Sequence, residues 1–456
     1  MRLITRRLTP LAAAACVFLT PVTAGATSTA KEIKTSKDNG VSYLKSLQLP
    51  NGSLGTDWAL SALAAAGTAA ADVKTSEGST DARTYYRALF GDTSTWPGGS
   101  EPPVTEFERA ALNSYAAGVD PARVSRTQNL IAQIAARYEP SSPGYYGGSF
   151  TGAVFALLAL ADTKTRTGAL RVPEALLEKS IAVLRANQHT DGGWTFEKAE
   201  GSAEKLEAPA EPDETGAAMA GLCTAGVSST DPTIARAREY LKATLVALTG
   251  AFNAPFGVNT DSNAWGVQGL DACKIAPQEA GFTTSMGKTP IDFLISQQLS
   301  GGGFRFEPSE GTANGYSSQD AVRALSGAGF TAAPPRPKSG SRWVFEGNFL
   351  AGVHSPLTLI VNNGTTALKV CSISVAPQKP TTTIAAVLEA AQAGSSPAGC
   401  VISFMPASGT GPITQVSGSP SPAAARWNVS IDGAKARQAK RSTPIHLGDT
   451  ISLQLG

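Results

Sequence analysis

Six times between residues 37 and 333 the chain repeats one pattern: a helix, a glycine-rich turn, then a second helix made almost wholly of small and apolar residues. This repeat constrains the fold more than any single motif. One helical pair cannot bury its own apolar face and must stack against its neighbours. The second helices are expected to open at Thr56-Asp57-Trp58, Thr105-Glu106-Phe107, Phe150-Thr151-Gly152, Asp213-Glu214-Thr215, Asp261-Ser262-Asn263 and Ser317-Ser318-Gln319-Asp320. They are apolar on every side, as in Ala-Leu-Ser-Ala-Leu-Ala-Ala-Ala-Gly67, so they belong in the interior. The first helices, such as Pro173 to Arg185, are amphipathic and belong outside. Three turns share a Gln, a glycine reversal and a large apolar residue: Gln48 to Leu54, Gln188 to Trp194 and Gln298 to Phe304. Glycine there permits the positive φ of a tight reversal. The expected fold of residues 27–333 is an α/α toroid of six helical hairpins.

The inner helices open with Thr, Ser, Asp or Asn, whose side chains satisfy the first free N–H groups of a helix. In a toroid every inner helix runs the same way, so these starts and their positive dipole ends share one rim. On this reading Asp57, Asp213, Asp261 and Asp320 are each a helix cap and together line the mouth of a concave small-molecule site.

Beyond residue 333 the composition changes. Pro334-Pro-Arg-Pro-Lys-Ser-Gly340 reads as a linker. Strand-like runs follow at 357–361, 367–371, 400–404, 427–431 and 450–454, with a hairpin signal at Asp432-Gly433 and one helix expected from Thr383 to Ala391. Residues 341–456 are therefore expected to form a small β-rich α+β domain. The whole chain is a multidomain protein of α and α+β parts. Its formal charge of +2 leaves no nucleic-acid footprint. Residues 341–456 carry 8 basic and 4 acidic groups while the ring is acidic, as expected of two parts facing each other across a cleft.

Arg2, Arg6 and Arg7, an apolar run from Leu11 to Thr20, and Ala24-Gly25-Ala26 predict a bacterial signal peptide over 1–26, cleaved near Ala26 to give a secreted or wall-associated protein. No later run is long and apolar enough for stable membrane insertion. Four cysteines then remain, and an even number in an exported chain suggests disulfides. Pairing Cys223 with Cys273 and Cys371 with Cys400 keeps each bridge inside one domain; buried free thiols are the alternative. No metal site is expected. The three histidines, His189, His354 and His446, are scattered, and the acidic run Glu197 to Glu214 matches no calcium loop. That run reads as a solvated loop beside the mouth.

A six-hairpin toroid followed by a β-rich domain resembles the transcobalamin family. Three stretches carry the resemblance. Asp213-Glu-Thr-Gly-Ala-Ala-Met-Ala-Gly-Leu-Cys223 looks like the family's Asp-Thr-Gly-Ala-Met-Ala helix start, with Glu214 inserted. Asp261-Ser-Asn-Ala-Trp-Gly-Val-Gln268 is similar to the family segment whose Gln contacts corrin amides. Trp427 to Gly433 with His446 to Ile451 looks like the family's final hairpin and strand. The resemblance implies cobalamin as a non-covalent ligand between rim and β domain, touched by Asp57, Asp213, Thr215, Asp261, Asn263, Gln268 and Trp427. One departure is clear: the loop from Glu197 to Pro212 lacks the cobalt-ligating His of some members, and His189 reads as a turn residue. The same helical repeats also occur in squalene and terpene cyclases and in prenyltransferase subunits.

The chain lacks the Asp-x-Asp-Asp acid of terpene cyclases, the Cys-Gly-Glu-Gln of a thioester, and a Gly-x-Ser-x-Gly elbow. Paired rim carboxylates make glycan hydrolysis the strongest enzymatic alternative. The expectation is a secreted, non-catalytic small-molecule-binding protein. A surface scaffold for protein or glycan, with an unknown cell-surface partner, is the first alternative. A terpene cyclase-like or glycan-active enzyme is the second.

Overall fold

The computed structural model describes residues 27–335, apart from residues 100, 126–127, 168–171 and 173, together with backbone strands between 356 and 455. Its helices come in pairs. The pairs are α1 (Ala30–Ser46) with α2 (Trp58–Ala65), α3 (Ala82–Gly91) with α4 (Val104–Ala116), and α5 (Leu130–Ala135) with α6 (Phe150–Thr167). Next come α7 (Glu174–Ala186) and, after a short α8 (Ala203–Glu207), α9 (Pro212–Thr224). Then follow α10 (Pro232–Ala243) with α11 (Thr260–Ala272), and α12 (Pro290–Ser296) with α13 (Gly315–Leu325).

The second helices close a ring. In order, α2, α4, α6, α9, α11 and α13 each contact the next, and α13 returns to α2. The outer helices α5, α7, α10 and α12 lie against the inner helix of the preceding pair, and α1 lies against α13 in the same way. The first and last pairs are therefore neighbours. The α/α toroid follows from this ordering.

The Gln-Gly turns explain the regular spacing. Gly52, Gly192 and Gly302 have φ of +96°, +101° and +87°, the left-handed region that suits glycine. The Nε2 of Gln188 donates to Gly192 O at 2.7 Å and to Thr233 O in the next outer helix at 2.8 Å. Gln48 reaches Val73 O at 2.8 Å, and Gln298 reaches Ser36 O of α1 at 2.7 Å. One side chain thus shapes its turn and fastens the following unit. Leu54, Trp194 and Phe304, the apolar ends of these turns, are fully buried.

Helices α9 and α11 approach closest. A Cβ on Gly216 would lie 2.1 Å from Trp265 O, and one on Gly269 would lie 2.5 Å from Gly216 O. Only glycine allows this backbone contact. A disulfide between Cys223 and Cys273 joins the far ends of the same two helices.

The centre of the ring is filled. The chain leaving α13 turns back inward and sets Phe330 against Trp58 of α2, Phe155 of α6 and Trp265 of α11, with ring centroids 5.2–6.2 Å apart. Arg166 of α6 holds this returning segment through Ala332 O at 2.9 Å. An aromatic plug thus occupies the middle of the ring.

Among the backbone strands, Pro356–Asn362, Leu368–Ser374, Trp427–Ile431, Ala434–Lys435 and Thr450–Leu455 form one five-stranded sheet. Ile431 pairs with Ala434 on either side of Asp432-Gly433. Thr383 ends a strand, Thr381–Thr383, and the rest of the expected helix lies outside the described residues. So do Cys400 and the linker from 336 to 340, and the expected strand at 400–404 is described only at Phe404–Met405.

Candidate functional site

The four rim aspartates are not the helix caps that the sequence suggests. Asn259 caps α11, accepting from Ser262 N, and Asn314 caps α13, accepting from Tyr316 N. Asp57 stands at the N-cap position of α2, but its side chain takes no cap hydrogen bond. Asp213 and Asp261 lie within the first turns of α9 and α11, and Asp320 sits further inside α13. Asp213 still serves its helix start, its Oδ1 accepting from Glu214 N at 3.0 Å. All four converge on one cavity of about 560 Å³ at the N-terminal mouth of the ring.

Aromatic side chains form the rest of that cavity. Trp58 and Trp265, which rest on the Phe330 plug, supply its floor. Tyr85, Tyr86, Phe256, Phe306 and Tyr316 supply its walls, and Phe256 and Tyr316 stand out into solvent. An apolar concavity with a few convergent polar groups is the usual make-up of a ligand site.

The charges are arranged in pairs. Arg109 of α4 donates from Nε to Asp57 Oδ2 at 3.0 Å and also holds Glu106. Burial raises the Asp57 carboxyl, and Arg109 opposes that shift. Asp213 accepts from Ser262 Oγ at 3.3 Å and is raised by burial. Asp320 accepts from Trp265 Nε1 at 2.8 Å and from the buried guanidinium of Arg323. That guanidinium lies 4.6 Å over the Trp58 ring and 5.2 Å over Phe330. Burial, then the nearby Asp320 charge, pushes Asp261 up to about 7. Asp320 has a donor on each oxygen, which favours its charged form and leaves Asp261 the more readily protonated of the two.

The seven residues implied by the resemblance do not stay together. Asp57, Asp213 and Asp261 line the cavity. Thr215 and Asn263 face the frame: Thr215 Oγ1 accepts from Trp194 N at 3.0 Å, and Asn263 Oδ1 accepts from Phe252 N at 2.6 Å. Ser318 plays the same part for Phe304 N at 2.8 Å, which marks a repeated lock between turn and inner helix. Gln268 is fully buried away from the mouth, with no hydrogen-bond partner for its amide among the described residues. The backbone of Trp427 opens a strand opposite Leu455; its side chain lies outside the described residues. Sequence reasoning missed Arg109, Tyr85, Tyr86 and Gln319. The Tyr85-Tyr86 doublet on α3 was the one available signal.

The acidic run beside the mouth is folded, not loose. Asn187 Oδ1 accepts from Ala199 N and Glu200 N, both at 2.8 Å, and His189 Nδ1 pairs with Ala208 O at 2.7 Å. Burial and neighbouring carboxylates push Glu211 to about 7 and the buried Glu214 to about 8. Among the described residues no group of three or more His, Cys, Asp or Glu side chains is placed to hold a metal ion. Among them, too, no helix is long and apolar enough to cross a membrane.

No family model matches the chain, and no curated protein matches it in sequence. Among solved structures it is similar to the type II terpene cyclase MstE from Scytonema, at 13% identity and a TM-score of 0.44, over 66% of this chain and 99% of that one. It is similar to haptocorrin in complex with Cbi, at 12% identity and a TM-score of 0.37, over 93% of this chain and 96% of that one. A polysaccharide lyase matches at 12% identity and a TM-score of 0.40, over 66% of this chain and 97% of that one.

Proposed function

We propose that the chain is an exported, non-catalytic binding protein that holds a small organic molecule at the acidic, aromatic mouth of its ring. One observation carries the reading: four aspartates from three inner helices and the start of α2 meet in one cavity over a tryptophan floor. In this reading Asp57, Asp213 and Asp261 touch the ligand. Residues 341–456 form a small β-rich domain that brings Trp427 over it. A corrinoid is the first ligand to test, because carboxylate acceptors suit the amide donors at its edge.

Cobalamin added to the purified chain should shift its visible absorbance in one-to-one proportion. No uptake at micromolar concentration removes the corrinoid. Mass spectrometry of small molecules released from the purified protein tests the broader reading. A protein that carries nothing, and captures nothing from a metabolite extract, overturns it. Full ligand uptake by a chain ending at residue 340 overturns the role given to the C-terminal part.

A second reading, an enzyme of glycan-active or terpene-cyclising type, is favoured by one feature. Asp261 retains its proton near neutrality beside an Asp320 that has donors on both oxygens. Turnover of a polysaccharide or prenyl substrate that disappears in Asp261→Asn would establish it in place of the first.

A further inference from the structure

We infer that the mouth selects an organic cation, a protonated amine carried on a flat apolar ring. The inference rests on the binding reading above and narrows its ligand class. The first support is the balance of charge. Asp57, Asp213, Asp261 and Asp320 line the cavity, and the two guanidiniums near them are already paired, Arg109 with Asp57 and Glu106, and Arg323 with Asp320. Among the described residues that line the cavity, no cation is left over to receive an anionic ligand.

The second support is the balance of hydrogen bonds. Gln319 lines the same cavity at 1% exposure, and its Oε1 accepts no hydrogen bond. Asp261 Oδ1 is likewise unpartnered. Two of the nearby donors are spoken for: the Trp265 indole N–H goes to Asp320, and the Tyr86 hydroxyl goes to Thr56 O. Two buried acceptors beside the cavity are thus left unsatisfied. An ammonium group is the complement, with three donors and no acceptor.

The third support is the aromatic surround. Trp58 and Trp265, with Phe256 and Tyr316 exposed at the rim, line the same cavity as the carboxylates, and the Arg323 guanidinium already lies 4.6 Å over the Trp58 ring. Ring faces attract cations and stack on flat apolar bodies.

A matched set of probes tests this on the full chain by calorimetry: tryptamine, its neutral analogue tryptophol, and the anion indole-3-acetate. Tryptamine should bind about tenfold more tightly than tryptophol, and the anion should not bind. Asp213→Asn should abolish the tenfold preference of the amine over the alcohol. Tyr316→Ala, a surface change that leaves folding alone, should weaken both by the same factor. Equal affinity for amine and alcohol overturns the cation selectivity while leaving the binding site standing. Preference for the anion, or no tryptamine binding at about 1 mM, overturns the inference outright. Failure of the binding reading shows differently, as a purified protein empty of any small molecule.

Discussion

Phe330 stands edge-on to Trp265, their ring centroids 5.2 Å apart and their planes at 88°. This contact ties the segment leaving the ring to the floor of the candidate site. Phe330 is 1% exposed and also meets Trp58 and Phe155. Phe330→Ala should therefore lower stability by about 3–5 kcal/mol, measured by denaturant unfolding. It should also weaken ligand uptake at temperatures where the variant is still folded, because Trp58 and Trp265 lose their support. Unchanged stability would show that the plug is not packed as described.

The α9–α11 contact predicts a sharp contrast between two glycines on one helix. Gly216→Ala places a methyl against the Trp265 carbonyl and should destabilise by roughly 1–3 kcal/mol or more. A Cβ on Gly221 meets nothing closer than Val154 O at 3.4 Å, so Gly221→Ala should be neutral or slightly stabilising through helix propensity. Thermal melts of the two variants side by side decide the matter.

Glu214 is buried and holds its proton to about pH 8. Its folded pKa lies above the unfolded value, near 4.3. Between those values the folded chain keeps a proton that the unfolded chain releases. Stability attributable to this group therefore falls as pH rises through the window, and the loss is complete above 8. Glu214→Gln mimics the protonated form. It should be nearly neutral at pH 5 and raise the melting temperature by roughly 2–4 °C at pH 8.5. A benefit of equal size at both pH values contradicts the assignment.

Asp261 gives the binding reading its own pH signature. It faces Asp213 from α9 and Asp320 with Arg323 from α13. As pH rises through about 7 it loses its proton and the mouth gains negative charge. Affinity for tryptamine should rise several-fold between pH 6 and 8, and Asp261→Asn should flatten that rise. Tryptophol affinity should stay level across the same range.

The Cys223–Cys273 bridge spans 50 residues and joins the ends of α9 and α11 away from the mouth. On loop-closure grounds its removal should cost about 4 kcal/mol. Cys223→Ser with Cys273→Ser should melt earlier yet keep the same preference among ligands. A change in selectivity would mean that the bridge shapes the site.

Much of the ring was legible in the sequence because its signals are local. Gln188, Gly192 and Trp194 sit within seven residues of one another and recur, so helix positions followed directly. The site was less legible because its logic is not local. Asp57 looks like a cap until Arg109, 52 residues away, is seen to take its carboxylate. Thr215 looks like a ligand contact until the Trp194 backbone N–H is seen to occupy it. Nothing near Phe330 announces that it turns back into the ring. The true caps, Asn259 and Asn314, lie just upstream of the aspartates that drew attention.

The joint between Gln298 and Ser36 uses the same bond that Gln188 makes to Thr233, yet no peptide connects its two sides directly. Ser28 N reinforces it through Asp292 Oδ1 at 2.7 Å. Molecules that come apart there during refolding expose two sticky halves of one seam, each complementary to its opposite number on another copy. Concentrated preparations are thus prone to swap partners and link head to tail, and slow dilution should favour self-closure over such chains.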